Sequence, residues 1–126
     1  MKKLLIGIFL VIFFLDQPSQ AAESVVVKFK VTKLIQAEIR VADRSVMLSI
    51  NQQPLQIIAP LNESLWKEYQ KGYIRYGDFD GDKVQDLALL SSISYGGTNP
   101  CYEIYYYDTN KHHYLPSGEP LVCNIP

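Results

Sequence analysis

Four closely spaced aspartates form the most chemically specific pattern in this sequence. Asp78, Asp80, Asp82 and Asp86 occupy the first, third, fifth and ninth positions of an acidic loop. Neighbouring carboxylates repel one another unless a cation neutralises them, and calcium accepts about six to eight oxygen ligands in flexible geometry. The backbone carbonyl of Val84 would add one more oxygen. The loop therefore predicts a calcium site at these five residues, and the alternative is a solvated acidic turn without a metal.

Other metals and other calcium motifs fit the loop less well. Magnesium prefers strict octahedral geometry and keeps several waters. Zinc prefers His or Cys ligands, which the loop lacks. An EF-hand requires Gly at its sixth position and Glu at its twelfth, where this loop has Lys83 and Leu90.

The loop resembles the calcium loops of FG-GAP and VCBS-type repeats, which link two strands of a propeller blade. The matching segments are Gly77-Asp78-Phe79, Gly81-Asp82 and Asp86-Leu87. Lys83 departs from the repeat pattern, which usually has Gly there. If this position requires a positive φ, lysine costs about 1 kcal/mol, and calcium affinity is reduced.

The sequence does not assemble a recognisable catalytic site. Nucleophilic catalysis needs Ser, Cys or Thr beside a His and an orienting acid, whereas His112 and His113 are adjacent in a predicted turn. Glu103 or Glu119 is compatible with a glycosidase carboxylate pair. The clustered aspartates, however, suit metal ligation better than acid–base chemistry. We therefore predict no catalytic residues and a protein that is not an enzyme.

Residues 1–21 have the three parts of a secretory signal peptide. Lys2 and Lys3 precede an uncharged apolar run at 4–15, and Ser19-Gln20-Ala21 supplies small residues at the cleavage site. The run is shorter than the roughly 20 apolar residues of a membrane span. The first cysteine is Cys101, which argues against a lipoprotein anchor. We expect a bacterial periplasmic or secreted protein with a single β domain at 22–126 and no membrane association after cleavage.

Cys101 and Cys123 are predicted to form a disulfide, because an isolated pair of cysteines in an oxidising compartment is most simply a structural bond. The bond would close a loop of about 22 residues and contribute roughly 3 kcal/mol in the chain-entropy model. A catalytic or metal-binding thiol pair is the alternative, but it lacks the close spacing of a C-x-x-C motif.

The hydrophobic patterning predicts an all-β fold. Alternation of apolar and polar residues begins at Val25, and Pro54 and Pro60 bracket a strand that suits a sheet edge. Further strands are predicted at 37–41, 46–50, 55–59, 73–76, 87–90, 102–108 and 113–115. The expected fold is a small antiparallel β meander, propeller-like or sandwich-like.

At most one short helix is predicted. Residues 61–71 have helical spacing, with Asn62 as a candidate N-cap and Gly72 at the end. Residues 91–100 are predicted to form a flexible, glycine-containing loop.

A wider resemblance covers about residues 45–115. The segment 54–58, the acidic loop, the glycine-containing loop and the Tyr-rich segment 102–108 follow one another. This order resembles bacterial periplasmic proteins related to lysozyme inhibitors, some of which are immunity proteins against cell-wall-degrading toxins. The resemblance implies a compact β domain that inserts a loop into the cleft of a lysozyme-like glycoside hydrolase.

The glycine-containing loop is the predicted partner-binding surface, formed by Tyr95, Gly96, Gly97 and Tyr102. Tyrosine offers a large contact area at low entropy cost, although for Tyr102 and Tyr106 packing inside the sheet is the favoured interpretation. A carbohydrate-binding or adhesion module, with Trp66 and tyrosines stacking on sugars, is the alternative. The scattered lysines and arginines argue against a nucleic-acid partner.

Overall fold

The computed structural model describes residues 25–94 and 98–125, which form two antiparallel β sheets. The predicted signal peptide at 1–21 lies outside the described residues. The small all-β, antiparallel fold predicted from the patterning is confirmed. No helix in the described ranges is long and apolar enough to cross a membrane.

The N-terminal sheet is a meander whose four strands lie side by side in chain order. Its strands are β1 (Val25–Lys30), β2 (Gln36–Ala42), β3 (Ser45–Ile50) and β4 (Gln56–Pro60). Asp43 and Arg44 form the β2–β3 turn with φ of 52° and 59°, the positive values that tight hairpin turns require. β4 lies at a sheet edge, as the bracketing prolines predict.

Two short helices connect the sheets, where the sequence analysis predicts at most one. They are α1 (Glu63–Glu68) and α2 (Gln70–Tyr73). Asn62 caps α1 as predicted, since its side chain accepts a hydrogen bond from the Leu65 amide at 3.2 Å. Tyr69 has φ −131° and ψ 44°, and this non-helical conformation divides the predicted segment in two.

The C-terminal sheet contains the remaining strands, with β7 at its centre. Its strands are β5 (Ile74–Gly77), β6 (Asp86–Ser94), β7 (Asn99–Asp108), β8 (His113–Pro116) and β9 (Val122–Cys123). β6 pairs with one edge of β7, and β8 and β9 pair with the other. The predicted loop at 91–100 is wrong in extent, because β6 continues to Ser94 and β7 already begins at Asn99. Strand pairing outweighs the local glycine and serine content here.

The two sheets share one hydrophobic core in a sandwich-like arrangement. The ring of Phe29 on β1 stacks on Tyr76 of β5 with centroids 4.4 Å apart, and the Tyr114 centroid on β8 is 6.2 Å away. Tyr76 lies opposite Leu87 in the strand register, and cross-strand partners share a face of the sheet. The face of β6 that carries Leu87 and Leu89 is therefore turned towards the N-terminal sheet.

The other face of β6 is also buried. Ala88 and Leu90 are both almost inaccessible, and they lie opposite Ile104 and Tyr102. The Tyr102 hydroxyl donates to the Gly72 carbonyl at 2.6 Å, which fixes α2 against this sheet. Burial on both faces explains why Asp86, the first residue of β6, is followed by an uninterrupted apolar run at 87–90 rather than an alternating pattern.

Cys101 and Cys123 form a disulfide, which confirms the predicted pairing. The two residues lie directly opposite each other in the β7–β9 register. The bond therefore fastens the end of the described chain to the central strand of the C-terminal sheet.

Replacing both cysteines with serine (Cys101→Ser with Cys123→Ser) should lower the free energy of unfolding by about 3 kcal/mol. The reason is that the bond joins residues 22 apart, and opening it releases the unfolded chain from that loop constraint. Equilibrium urea unfolding measures the change. Reduction should destabilise the native chain to the same level and leave the double variant unaffected, and a loss below about 1 kcal/mol would contradict this account.

Candidate metal centre

The acidic loop connects β5 to β6, and its last carboxylate belongs to the first residue of β6. One oxygen from each of Asp78, Asp80, Asp82 and Asp86 lies within 4.8 Å of the others. The first three side chains are exposed, whereas Asp86 retains 1% of its accessible surface. The structure thus brings together the four aspartates that the spacing singled out.

Asp78 organises the loop by accepting hydrogen bonds from the backbone. Its Oδ1 accepts from the amides of Gly81 at 2.8 Å and Asp82 at 3.1 Å, and its Oδ2 accepts from Lys83 at 2.8 Å. Three converging donors curl the chain round one carboxylate, in the manner of an Asx turn. Asp78 therefore positions the residues that follow it.

The other three carboxylates are also held by backbone amides. Asp80 Oδ1 accepts from the Asp82 amide at 3.2 Å, and Asp82 Oδ1 accepts from the Val84 amide at 2.9 Å. Asp86 Oδ2 accepts from the Phe79 amide at 2.9 Å, which closes the two ends of the loop on each other. An ionised carboxylate offers about four acceptor sites. Each of the four aspartates therefore retains lone pairs that could ligate a cation.

Two residues in the loop adopt left-handed backbone conformations. Gly81 has φ 83° and Lys83 has φ 69°. The position where the repeat pattern usually has glycine therefore does require positive φ, and lysine there is strained by about 1 kcal/mol. Lys83 also places a positive charge in a loop whose carboxylates would bind a cation.

The loop is anchored to the core at both ends. Phe79 and Val84 pack against the buried cluster. The Gln85 amide donates to the Val31 carbonyl at 3.0 Å, and the Tyr114 hydroxyl donates to the Gln85 carbonyl at 2.6 Å. Both sheets therefore hold the segment that leads into Asp86.

Burial and mutual repulsion shape the protonation of the cluster. Burial, together with the charges of Asp80 and Asp82, raises the pKa of Asp86 to about 6. The pKa of the exposed Asp80 is raised as well, by partial desolvation and by its neighbour Asp82. Partial desolvation acts to raise the pKa of Asp78, but hydrogen bonds from the Lys83, Gly81 and Asp82 amides outweigh it and lower that pKa.

The donor set fits a hard divalent cation. All four groups offer carboxylate oxygens, without sulfur or nitrogen ligands, and oxygen ligands suit calcium and magnesium better than zinc. A cation would also remove the repulsion that raises the pKa of Asp86. The Val84 carbonyl as an additional ligand stays a prediction.

Comparison with protein-family models, with curated proteins and with solved structures gives no match. Fold and site together define a small two-sheet β protein with an acidic cation-site candidate. Its function must therefore be argued from its own geometry.

Of the four predicted partner-binding residues, Tyr102 alone lies in the part of the chain that the structure describes. Tyr102 is 2% exposed and donates its hydroxyl to the Gly72 carbonyl, so it packs the core and its side chain cannot contact a partner. This corrects the expectation for Tyr102. Tyr95, Gly96 and Gly97 lie outside the described residues, and their role stays a prediction.

The residues that support the acidic loop were missed by the sequence analysis. Tyr114 on β8 and Val31, which directly follows β1, contact Gln85 although both are distant from it in sequence. Neither belongs to a local motif, and only the packing of the sheets shows their role. The one local feature that could have indicated a supporting role is the aromatic side chain of Tyr114 in the strand predicted at 113–115.

Lys83→Gly should stabilise the protein by about 1 kcal/mol, because glycine adopts positive φ without strain. It should also increase calcium affinity, since it removes a positive charge from the loop. Gln52→Gly is the matched control, with φ 65° in the β3–β4 turn. Urea unfolding and calorimetric calcium titration measure the two effects. Equal calcium affinities in Lys83→Gly and Gln52→Gly would contradict the prediction that the charge of Lys83 weakens calcium binding.

In metal-free protein, the free energy of unfolding should decrease as the pH rises from about 4 to about 6. The pKa of Asp86 is raised from 3.8 to about 6 in the folded state, so the folded state binds more protons in this window and deprotonation favours unfolding. Asp80, whose pKa is also raised, contributes in the same direction. Calcium should reverse the slope, because ligation requires ionised carboxylates.

Asp86→Asn should flatten most of this slope while still accepting the Phe79 hydrogen bond. Asp108→Asn is the control, since Asp108 lies outside the aspartate cluster and its pKa is lowered by amide hydrogen bonds, chiefly from Lys111. Thermal unfolding in EDTA across this pH range measures the effect. Identical slopes in native protein and Asp86→Asn would exclude Asp86 as the titrating group.

Proposed function

We propose that this protein is an exported, calcium-stabilised binding protein that inhibits a lysozyme-type cell-wall hydrolase in an immunity or defence role. The observation that carries the proposal is the convergence of four carboxylates within 4.8 Å at the start of β6.

Calcium is the cation that best suits the acidic loop. The ligands are oxygens on a curled loop, and calcium tolerates the irregular geometry that such a loop imposes. Export, inferred from residues 1–21 and supported by the disulfide, would bring the site into calcium-rich surroundings. A ligand that binds only the folded state stabilises it by mass action.

The cation and the disulfide would brace opposite parts of the β6–β7 hairpin. Asp86 starts β6 at the acidic loop, and Cys101 lies near the start of β7. The connection between Ser94 and Asn99 contains the predicted contact residues 95–97. A loop presented from a rigid hairpin loses less entropy on binding, which favours affinity.

The class of target comes from the resemblance to periplasmic lysozyme inhibitors and immunity proteins. An inhibitor of this kind needs a stable scaffold and a presented loop, and the braced hairpin supports both. The carbohydrate-binding alternative gains no support from Trp66, which is half-buried and packs edge-on against Tyr73 with centroids 5.5 Å apart. A sugar-stacking platform would require an open aromatic face.

The calcium-loaded protein should inhibit at least one lysozyme-type hydrolase acting on suspended peptidoglycan. Asp80→Asn with Asp82→Asn should abolish the rise in melting temperature that calcium causes and weaken inhibition about tenfold, since the hairpin loses its brace. Asp108→Asn is the control, because its carboxylate caps the β7–β8 turn outside the cluster. Tyr95→Ala should weaken inhibition without changing the response to calcium.

The two parts of the proposal fail separately. A melting temperature that calcium leaves unchanged would exclude a structural calcium site. Absence of inhibition across a broad set of such hydrolases, with calcium bound, would exclude the target class and favour peptidoglycan binding, which a sedimentation assay detects.

A further inference from the structure

The disulfide is exposed at one end only. Cys101 retains 3% of its accessible surface, whereas Cys123 on β9 is exposed. Thiol–disulfide exchange begins when a thiolate attacks one of the two sulfurs, and its rate depends on access to the sulfur that is attacked. Exposed disulfides are also the ones that are readily reduced. An external thiolate can therefore approach the bond at Cys123, while the fold shields Cys101.

The C-terminal segment that carries Cys123 is otherwise weakly attached. Residues 118–124 are exposed throughout. β9 forms two residue pairs with β7, and the Asn124 amide donates to the Pro100 carbonyl at 3.1 Å. Other described attachments are the hydrogen bond from the Tyr106 hydroxyl to Glu119 and the partly buried side chain of Ile125. Hydrogen bonds at an exposed surface compete with water and hold a segment only weakly, so the disulfide is the main connection between this segment and the sheet.

The surroundings of Cys101 suit the sulfur that leaves during exchange. The Ser94 Oγ lies 3.8 Å from the Cys101 Sγ. Because a disulfide sulfur carries no proton, the Ser94 hydroxyl is the donor. Burial disfavours a charged thiolate, whereas a hydrogen bond to the charged form favours it. Ser94 therefore offsets part of the penalty for developing charge on Cys101.

We propose that Cys123 is the point of attack for an external dithiol, and that the disulfide is a redox-sensitive latch that holds residues 117–125 on β7. The inference goes beyond the proposed function, since it requires neither calcium nor a hydrolase. It assigns to the exposed sulfur a reaction with reduced dithiols, in addition to the stabilising role of the bond.

The reaction is a two-step exchange in which the dithiol is oxidised. In the first step a thiolate of the dithiol bonds to the Cys123 Sγ. The protein disulfide breaks, and its electron pair leaves on the Cys101 Sγ, which takes up a proton from solvent. In the second step the other thiolate of the dithiol attacks the sulfur bound to Cys123, closes the disulfide of the dithiol and releases Cys123, which is protonated in turn. Two electrons thus pass from the dithiol to the protein.

Opening the latch leaves the two-sheet core in place. Val122 and Cys123 of β9 are exposed, and Ile125 is only partly buried. Their detachment therefore uncovers little of the core. It does expose the edge of β7 at Cys101 and Tyr102, close to the connection between β6 and β7. The expected product is a folded protein with a free C-terminal segment and an open strand edge.

Brief exposure to reduced glutathione, followed by acid quenching and peptide mass spectrometry, locates the attacked sulfur. Glutathione should be found on Cys123 about tenfold more often than on Cys101, because only Cys123 is accessible. The same chain unfolded in urea is the matched control, and there the two cysteines should be modified to a similar extent. Equal modification in the folded chain, or a preference for Cys101, would overturn Cys123 as the point of attack.

Ser94→Ala should slow this reaction about threefold, since the leaving thiolate loses its hydrogen bond. Ser92→Ala is the control, because Ser92 lies opposite Cys101 in the strand register without a described side-chain hydrogen bond to its sulfur. The glutathione should stay on Cys123 in both variants. Equal rates in the two variants would overturn the role of Ser94.

Nuclear magnetic resonance of the protein reduced with dithiothreitol detects the opening. The amide resonances of Val122 and Asn124 should move to random-coil positions, whereas the Gln85 amide, which donates to the Val31 carbonyl, should keep its folded position. Cys123→Ser should show the same change without any reductant. An Asn124 resonance that reduction leaves in place would overturn the latch. A loss of the folded Gln85 resonance together with that of Asn124 would also overturn it, since the bond would then hold the whole fold.

Discussion

A buried carboxylate at the start of β6 is the constraint on which the C-terminal sheet depends. Asp86 retains 1% of its accessible surface and adjoins Leu87, which is wholly inaccessible in the core. Burying an ionised group is costly unless hydrogen bonds or a cation compensate it. The Phe79 amide supplies one hydrogen bond, and the neighbouring aspartates add repulsion. The ionisation of the loop and the packing of the sheet are therefore linked through adjacent residues.

The functional candidates converge on the β6–β7 pair. The acidic loop enters β6, and the disulfide joins β7 to β9. The N-terminal sheet has a supporting role, since Val31 holds the loop and Phe29 packs against Tyr76. The candidate metal ligands and the disulfide thus lie in the C-terminal half of the chain, and the N-terminal half provides the opposing layer of the core.

Local features of the sequence were sufficient for much of this structure. Period-two alternation predicts most of the strands, Pro54 and Pro60 predict the edge position of β4, and aspartate spacing predicts the clustered carboxylates. Residues whose environment depends on tertiary packing were not predictable. Val31 and Tyr114, for example, hold Gln85 beside the acidic loop, and only the three-dimensional structure shows these contacts.

Other errors have equally specific causes. Pairing with the neighbouring strand extends β6 to Ser94, although serine and glycine favour a loop there. β9 has only two residues, which is too short for a periodic signal.

The position of β7 has a consequence for the order in which the chain can fold. One edge of β7 is completed by β8, by the Ser117 amide, which donates to the Ile104 carbonyl at 2.8 Å, and by β9. These partners all follow residue 112, whereas the N-terminal meander joins strands that are neighbours in sequence. Local contacts form with less loss of chain entropy. The N-terminal sheet can therefore form before the C-terminal half of the chain has been synthesised. The C-terminal sheet must wait for the last residues, and until then an unpaired edge of its central strand stays open to other chains.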